Sequence, residues 1–457
     1  MQDGSVDTLP LEQHFAREDD TLHAAFGKRG SAHWMMGRPV PVPDPQATYA
    51  QLISANGCGK RSVYVHIPFC VNHCLFCGFY RNRADETEMH DYVLHLLREI
   101  ESDAARLGPA PIHTVYFGGG TPSALSADDL GALVAAVRTH LPLAPDCEIT
   151  IEGRVVGFGL DKIEACLAAG ANRFSIGVQS FDTQLRRRFG RKAARDEIIA
   201  FMQCLQQTDR AAVVCDLIYG LPGQTMESWR QDIETCIALG LDGVDLYGLT
   251  LFEKGPLAQS IQKGVLPAAA DMAQMAHMYV TGLEMLANAG WRHLTQAHWA
   301  STTRERNLYN HYAKTGTDCL AFGAGAGGML AGHRFMQDGD SATYRARVAS
   351  GEKPIAMMFG PMAVNALRNR ITAGMELGYL NLAQLEQHTA PGLTAALSPL
   401  LIQWARAGLI RPRTDAVQIL TPGWFWQSNL SDSLLQLTMQ YLHKDQQPHS
   451  QGLHHVH

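Results

Sequence analysis

Three cysteines within eight residues restrict this chain more than any other feature of its sequence. Cys70, Cys74 and Cys77 follow a β-rich run at residues 62–67, which Pro68 interrupts. A strand that stops at a proline and continues into a loop brings all three thiols to one end of that strand. The C-x3-C-x2-C spacing therefore predicts that one loop supplies three thiolate ligands to a metal centre.

The number of thiols indicates which kind of centre this is. Three thiolates suit three irons of a 4Fe–4S cluster and leave one iron without a protein ligand. A structural zinc site takes four ligands, and the usual paired C-x2-C knuckles are absent; His73 is a candidate fourth ligand, although its place inside the loop is geometrically awkward. We interpret the cysteines as ligands of a 4Fe–4S cluster with an open iron.

The remaining cysteines indicate the compartment. They share no metal spacing, lie mostly in apolar contexts and are expected to be buried free thiols; they are residues 58, 147, 166, 204, 215, 236 and 319. Free thiols and an iron–sulfur cluster both need a reducing environment, which predicts the cytoplasm.

Short β-rich runs alternate with helical patterns over much of the chain. The runs are residues 63–67, 114–117, 148–151, 173–178, 213–218, 244–249 and, weakly, 293–297. The helical patterns include residues 91–107, 161–169, 196–207, 226–239 and 271–289. Repeated βα units of this size predict an α/β fold, with a parallel sheet curled into a full or partial TIM-like (β/α) barrel that places its chemistry at the carboxyl ends of the strands.

The chain of 457 residues is long enough for more than one domain. We predict an N-terminal arm at 1–45 with alternating prolines near its end, a barrel domain at 46–350, a winged-helix-like C-terminal α+β domain at 351–440, and a disordered His-rich tail at 441–457. The net charge of −6 and the lack of a basic recognition helix argue against a nucleic-acid partner. No signal peptide and no run of eighteen apolar residues is visible, so we expect no membrane association.

Glycine and polar residues follow successive predicted strands. Gly118, Gly119 and Gly120 come after the second strand and let the backbone approach a ligand closely. Polar or charged residues follow the next strands, namely Glu152, Gln179, Arg191 and Asp216. Each alone is readily explained as a capped strand end or a surface ion pair. Together they predict a binding site at the cysteine end of the barrel.

The motifs Y-x-H-I-P-F-C, GGGTPS, GVQSF and DLIYGLPGQT, with the cysteine loop, resemble the radical S-adenosylmethionine (SAM) superfamily over roughly residues 60–335. In that superfamily the open iron binds SAM, and the reduced cluster splits its sulfonium to release a 5′-deoxyadenosyl radical. The resemblance implies a barrel of the radical SAM type. It also implies that SAM is bound by Tyr64, Phe76, Gly118, Gly119, Thr121, Glu152, Gln179, Arg191, Asp216, Thr250 and Met329.

The motifs resemble one branch, which contains oxygen-independent coproporphyrinogen III dehydrogenase, the HemW-type haem chaperones and the anaerobic haem-degrading methyltransferases. The dehydrogenase carries a further cysteine where this chain has Phe79. The chaperones carry H-N-x-x-Y-W, where this chain has Arg306-Asn307-Leu308-Tyr309-Asn310-His311-Tyr312. The chain is therefore most similar to the haem-degrading radical SAM methyltransferases of the ChuW/HutW type, with the dehydrogenase and the non-enzymatic chaperone as alternatives.

That resemblance implies a reaction with two SAM molecules, one as radical source and one as methyl donor, which opens haem to a methylated linear tetrapyrrole and releases iron without oxygen. It also implies a low-potential electron donor such as flavodoxin or a reductase. Candidate residues of an apolar haem slot are Trp34, Met35, Met36, Tyr247, Phe252, Trp291 and Trp299. Candidate partners of the haem propionates are Arg38, Arg304 and Arg306.

Overall fold

The computed structural model describes residues 9–30, 39–55, 59–71, 74–77, 82–83 and 85–445. The chain divides into two compact units. The larger unit comprises Pro39–Asp271 and Thr281–Met362, and the smaller unit comprises Met1–Arg38, Met272–Val280 and Ala363–His457. The part of the N-terminal segment that is described thus groups with the C-terminal residues. Phe79 and the tail beyond residue 445 lie outside the described residues.

The strands follow in chain order. They are β1 Arg61–Ile67, β2 Phe69–Cys70, β3 Asn82–Arg83, β4 Ile112–Gly119, β5 Leu143–Gly153, β6 Arg173–Gln179, β7 Ala212–Tyr219, β8 Gly243–Gly248, β9 Arg292–His293, β10 His298–Ala300, β11 Asp318–Phe322, β12 Gly327–Leu330, β13 His333–Gln337, β14 Ile355–Phe359, β15 Tyr379–Asn381, β16 Ile410–Arg413 and β17 Ala416–Ile419.

The helices separate these strands. They are α1 Thr21–Ala24, α2 Pro45–Ile53, α3 Glu86–Ala104, α4 Ala127–His140, α5 Leu160–Ala169, α6 Thr183–Arg188, α7 Arg195–Gln207, α8 Met226–Leu239, α9 Pro256–Gln262, α10 Met272–Asn288, α11 Leu308–Thr315, α12 Ser341–Ala349, α13 Ala363–Glu376, α14 Leu382–Gln387, α15 Leu393–Arg406, α16 Thr421–Phe425 and α17 Gln427–Asp445. Two 3-10 helices lie at Leu11–His14 and Pro122–Ala124.

The large sheet of the larger unit has a parallel centre. Its strand order is β14-β13-β12-β11-β1-β4-β5-β6-β7-β8-β10-β9, and each pair from β11 to β8 is parallel. Consecutive parallel strands need a crossover, and helices α3 to α8 supply it between β1 and β8. The prediction of an α/β fold with a parallel sheet is confirmed. Because the sheet ends in two different edge strands, it is open, which corresponds to the partial form of the predicted barrel.

The parallel strands bury apolar side chains on one face and carry polar side chains on the other. In β1, Val63 and Val65 are fully buried, whereas Tyr64 lies between them in sequence and points the opposite way. Tyr64 is in register with Tyr116 of β4, and Tyr116 is in register with Thr150 of β5. Because side chains alternate with a period of two, the polar residues of neighbouring strands line one shared face.

The weakly predicted strand at residues 293–297 is wrong. Arg292–His293 and His298–Ala300 instead form an antiparallel hairpin, in which the Leu294 N–H donates to the His298 carbonyl at 2.9 Å. The second arm pairs antiparallel with β8, so the chain has to reverse direction within these residues. The pattern of apolar residues does not record such a reversal.

A buried ion cluster secures the loop that follows β11. The Lys353 ammonium lies 2.6 Å from Glu99 Oε1 and 2.7 Å from Asp103 Oδ2, and all three side chains are at most 2% exposed. Glu99 also accepts the Gly323 N–H at 2.9 Å, which ties α3 to the loop. Charges this deep are tolerated only when each has a close partner.

The smaller unit has the element order of a winged helix: α13, β15, α14, α15 and then the hairpin β16–β17, with the three strands in the order β15-β17-β16. The predicted helices and hairpin are confirmed. Trp404 and Trp426 are fully buried and donate their indole N–H groups to the carbonyls of His14 and Thr21, each at 2.9 Å. These bonds fasten the N-terminal segment to the helices of this unit.

Within the described residues, no helix combines the length and the apolar character needed to cross a membrane.

Candidate active site

A cavity of about 350 Å³ lies at the carboxyl ends of the parallel strands, beside the cysteine loop. Its walls come from the ends of β4 to β8, which is where a sheet of this kind is expected to carry its site. The predicted residues that line it are Cys74, Phe76, Cys77, Gly119, Thr121, Glu152, Gln179, Arg191 and Thr250. Motifs separated by almost 180 positions of sequence therefore meet in one cavity.

The cysteine loop is held in place by apolar contacts. Leu75 and Phe76 pack against Leu185 and Phe189, which belong to α6 and the residue after it. The Leu75 N–H donates to the Phe189 carbonyl at 3.5 Å. Cys70 and Cys74 are buried and Cys77 is half-buried, and all three are free thiols. The loop thus presents its thiols from a fixed base.

Two arginines lie beside the thiols. An Nη of Arg154 is 3.8 Å from Cys70 Sγ, and Arg191 forms a hydrogen bond with the Cys74 side chain. Burial raises the pKa of the Cys70 thiol, while Thr121 and Arg154 oppose that shift. Nearby guanidinium groups stabilise thiolates, the form that binds metal. The donor set therefore fits an anionic iron–sulfur centre.

The part of the chain that the structure describes contains no group of three His, Cys, Asp or Glu side chains close enough to share a single ion. A 4Fe–4S cluster does not require such a group, because each thiolate binds a different iron and the three sulfurs stand apart. His73, the candidate fourth zinc ligand, lies outside the described residues.

The glycine motif leaves no room for side chains. A Cβ at Gly118 would lie 2.9 Å from Glu152 Oε2, and one at Gly120 would lie 2.6 Å from the Phe69 carbonyl oxygen. Gly119 has a φ of 112°, which L side chains rarely adopt. Its N–H donates to the Glu152 carboxylate. Glycine at these positions lets the backbone of the β4 loop meet the end of β5.

Two carboxyl groups near the cavity hold their protons unusually firmly. Burial, followed by the charge of Asp216, raises the pKa of Glu152 to about 8. Burial, followed by the charge of Asp245, raises the pKa of Asp216 to about 7. A cationic ligand in the cavity would lower both pKa values, because it would stabilise the ionised carboxylates. Strongly perturbed carboxyl groups in a cleft are typical of functional sites.

Gln179 and Arg191 close the cavity beside β6. Gln179 has a φ of 73°, a left-handed conformation that is uncommon for any residue but glycine. The pairing of β6 with β7 shifts register between Gly177 and Gln179, which accommodates it. The Nη1 of buried Arg191 donates to the Gly177 carbonyl at 2.5 Å. Strained backbone of this kind concentrates at functional sites.

Several predicted site residues do not line the cavity. Cys70 is buried just behind the lining residue Thr121, with 3.4 Å between Sγ and Oγ1. Tyr64 lies on the polar face of the sheet, where its hydroxyl oxygen is 3.0 Å from His66 Nδ1. Asp216 accepts a hydrogen bond from Ser175 at 3.1 Å. Gly118 lies so close to Glu152 that a Cβ at this position would clash with the carboxylate. Met329 lies on β12 in register with Cys319, so nothing in the cavity supports its predicted contact with SAM.

Sequence reasoning missed Arg154, a cavity residue that reaches toward Cys70. Arg154 follows Glu152 by two positions, and residues two apart in an extended chain point to the same side. This spacing was the only sequence signal that could have identified it.

The candidate haem residues divide into two groups. Phe252 lines the cavity and is 53% exposed, and Tyr247 is 42% exposed. Trp299, in contrast, is buried and stacks on His293 with ring centroids 4.1 Å apart, and Trp291 is also buried. The two tryptophans are therefore core residues.

Arg304 and Arg306, the candidate partners of the haem propionates, lie away from this cavity, and their proposed role stays a prediction. Their side chains pair with Asp209 at 2.7 Å and with Asp146 at 3.2 Å, and neither lines the cavity. Trp34, Met35, Met36 and Arg38 lie outside the described residues.

A second group of buried charged residues has oppositely charged partners at short distance. Arg173 Nε lies 2.9 Å from Glu305 Oε2, and the two nitrogens of His298 lie 2.9 Å from Asp245 and 3.0 Å from Glu305. These contacts raise the pKa of His298 to about 9 and lower the pKa of Glu305 to about 2. We call these four residues the floor; Arg173 is the first residue of β6, and Asp245 lies in register with Asp216 of the neighbouring strand.

Comparison with known proteins agrees with this geometry. The radical SAM superfamily profile matches residues 64–236. Anaerobilin synthase from Escherichia coli O157:H7 is 43% identical over 436 residues, which cover 94% of this chain and 96% of that protein. Heme chaperone HemW from Escherichia coli K12 is 33% identical over 270 residues, which cover 59% of this chain and 70% of that protein.

A solved structure of coproporphyrinogen III oxidase (HemN) from Escherichia coli, a radical SAM enzyme, superposes with a TM-score of 0.75. It is 22% identical and covers 93% of this chain and all of that chain, so it supports the fold. The high identity to anaerobilin synthase extends through both compact units. The chain belongs to the radical SAM superfamily and, within it, to the family of anaerobilin synthase.

Proposed function

We propose that this protein is a radical SAM C-methyltransferase that degrades haem without oxygen, opening the porphyrin to a methylated linear tetrapyrrole and freeing the iron. The observation that carries this proposal is the 43% identity to anaerobilin synthase along 96% of that protein's length. Identity to the haem chaperone, at 33%, extends over only 59% of the chain. The substrate is therefore assigned from the relative that matches both units.

The residues of the cavity fit the cofactors of the family. Cys70, Cys74 and Cys77 would hold a 4Fe–4S cluster, and the open iron would receive SAM from the cavity side. When bound, this pair supplies a carbon-centred radical from one electron. Nine free thiols among the described residues, together with such a cluster, also favour a reducing location, so we propose the cytoplasm.

The charges of the cavity divide into two sets that suit the two poles of SAM. Glu152, with Asp216 nearby, would accept a sulfonium or an amino group, and such a cation would favour the ionised form of this buried carboxyl group, whose pKa burial and Asp216 raise. Arg191 and Arg154 offer donors to a carboxylate, and they also face the thiols. The protein's task is to orient these groups before the electron arrives.

The apolar part of the cavity would keep water from the radical and receive the substrate. Phe76, Ile218 and Leu249 contribute apolar walls. At the outer side, Leu251 and Phe252 are 43% and 53% exposed. An exposed apolar edge beside a polar cavity suits a flat tetrapyrrole. We place the second SAM, the methyl donor, on the Thr250 side of the same cavity.

One anaerobic assay tests this function. The reconstituted protein is mixed with dithionite, haem and SAM labelled in its methyl group, and products are separated by mass. We expect the Soret band to disappear and the label to enter a linear tetrapyrrole, with no change when the reductant is left out. Intact haem that only co-elutes with the protein would favour a HemW-like chaperone. Loss of carboxyl groups from coproporphyrinogen III would favour the dehydrogenase instead.

A further inference from the structure

Three exposed cations form a basic surface on the larger unit. Arg187 and Arg188 end α6, and Lys192 follows in the next loop. Among the described residues, none of the three forms a salt bridge. The chain as a whole carries a net charge of −6, so this concentration of unpaired positive charge runs against its overall balance. We call these residues the basic surface.

The nearest acids do not neutralise it. Asp182 is occupied as the N-cap of α6, where its Oδ1 accepts the N–H groups of Gln184 and Leu185 at 2.8 and 2.9 Å. Glu197 accepts the Ala194 N–H at 2.6 Å and so caps α7. These carboxylates keep their negative charge but are held at the helix starts by backbone donors and do not pair with Arg187, Arg188 or Lys192, so the three exposed cations remain available to an outside partner.

The basic surface lies directly behind the cysteine loop. The apolar side of α6 carries Leu185, and Phe189 follows the helix; these two side chains are the base on which Leu75 and Phe76 of the loop rest. The Phe76 and Phe189 rings are 6.1 Å apart. One short segment therefore contacts the thiol-bearing loop on one side and presents unpaired cations on the other.

We propose that the basic surface docks an acidic, low-potential electron-carrier protein, which reduces the iron–sulfur centre through the backing segment of the cysteine loop. This inference rests on the proposed function, which consumes one electron per radical formed. The carrier's reduced cofactor loses one electron, the cluster gains it, and no covalent bond forms or breaks.

The observations favour a protein carrier over other anionic partners. Three cations are fewer than the row of phosphate contacts that gives strong nucleic-acid binding. A membrane-binding helix needs an exposed apolar face, whereas the apolar face of α6 is buried under the cysteine loop. Rim charges of this kind raise the association rate of a complementary protein and make it sensitive to salt.

The test compares two charge-reversal variants of the reconstituted protein. Arg187→Glu with Arg188→Glu changes the basic surface, and Arg98→Glu with Arg230→Glu changes exposed arginines on α3 and α8 by the same charge. Binding of a purified flavodoxin is measured by biolayer interferometry at low and high salt. The rate of cluster reduction by reduced flavodoxin and by dithionite is followed by stopped-flow absorbance.

We expect the first variant to bind flavodoxin about tenfold more weakly at low salt and to lose most of the salt dependence, while the second behaves as wild type. Reduction by flavodoxin should slow by a similar factor, and reduction by dithionite should not change. Equal binding by all three proteins, or equal weakening in both variants, would overturn the proposal. The proposal would also be overturned if the first variant bound anionic vesicles or duplex DNA more weakly than wild type but bound flavodoxin equally well. If wild type fails to consume haem with dithionite, the proposed function fails independently of this result.

Discussion

Buried ionisable groups have pKa values shifted for different reasons at the cavity end and at the floor of the same sheet. At the cavity end, Glu152 and Asp216 have pKa values raised to about 8 and about 7, because burial and a neighbouring carboxylate outweigh the effect of the cations nearby. At the floor, Glu305 has a pKa lowered to about 2 and His298 one raised to about 9, because each has partners within 3.0 Å.

The two sets of charges therefore have different roles. At the floor, each charged group has an oppositely charged partner within the fold. At the cavity end, carboxyl groups, two arginines and the thiols of the cysteine loop surround one cavity, where a cationic cofactor and iron would add favourable contacts. Changes at the cavity end should therefore act on binding and turnover, and changes at the floor should act on stability.

The largest effect is expected from the cavity end's metal ligands. Cys74→Ala removes one of the three thiolates, so the cluster should be lost together with all SAM cleavage. Iron and sulfide analysis and the release of 5′-deoxyadenosine measure this. Cys204→Ala, which alters a half-buried thiol on α7, is the control and should keep both. Normal SAM cleavage by Cys74→Ala would contradict the cluster assignment.

At the floor, Arg173→Met should destabilise the fold by about 3–5 kcal/mol, because it leaves Glu305 buried without its guanidinium partner. Denaturant unfolding of the protein measures the change. The matched control is Arg210→Met, which removes an exposed pair with Glu164 and should cost only about 0–1 kcal/mol. If both substitutions cost the same, the floor is not the closed network described above.

Glu152→Gln separates binding from stability at the cavity end. Removing the carboxylate should weaken SAM binding roughly tenfold to hundredfold, as expected for a hydrogen bond to a charged group. At neutral pH the variant should be at least as stable as wild type, because it removes a buried carboxyl group whose pKa is raised to about 8 by burial and by the charge of Asp216. Calorimetric titration of the reconstituted protein measures the affinity, with exposed Glu234→Gln as control. Unchanged SAM affinity would remove Glu152 from the site.

The smallest effect is the dependence of stability on pH. The pKa of Glu152 is raised in the folded state. Its contribution to the free energy of unfolding therefore decreases as pH rises from about 4.5 toward 8. The folded pKa of His298 is also raised, so its contribution is complete below about 6.5 and is lost as pH rises through 9. Glu305 has a depressed pKa, so its contribution is present above about 4.5 and is lost toward 2.

We therefore expect the free energy of unfolding to decline between about pH 6.5 and 9 in denaturant titrations. Glu152→Gln should remove only the cavity-end part of that decline and leave the part due to His298. A profile that is flat over this range in the wild type would show that the two ends do not differ as described.

The parallel sheet and its site were largely readable from sequence. Each of the six β-rich runs from 63–67 to 244–249 falls inside or within one residue of a strand, because parallel strands covered on both faces appear as short, nearly continuous apolar runs. Residues at their carboxyl ends, such as Glu152 and Gln179, then share one edge by topology alone. The hairpin at Arg292–His293 and His298–Ala300 was missed, since its pairing depends on a distant strand.

The thiol loop, the glycine motif and the order of the parallel strands were predictable from sequence, because they depend on local spacing and on the alternation of β-rich runs with helical patterns. The pairing of buried charges was visible only in the tertiary structure. Arg173 pairs with Glu305, 132 positions away in sequence, whereas the pKa of Glu152 is raised first by burial and then by the carboxylate of Asp216. Such pairing depends on distances in space, which the sequence pattern does not record.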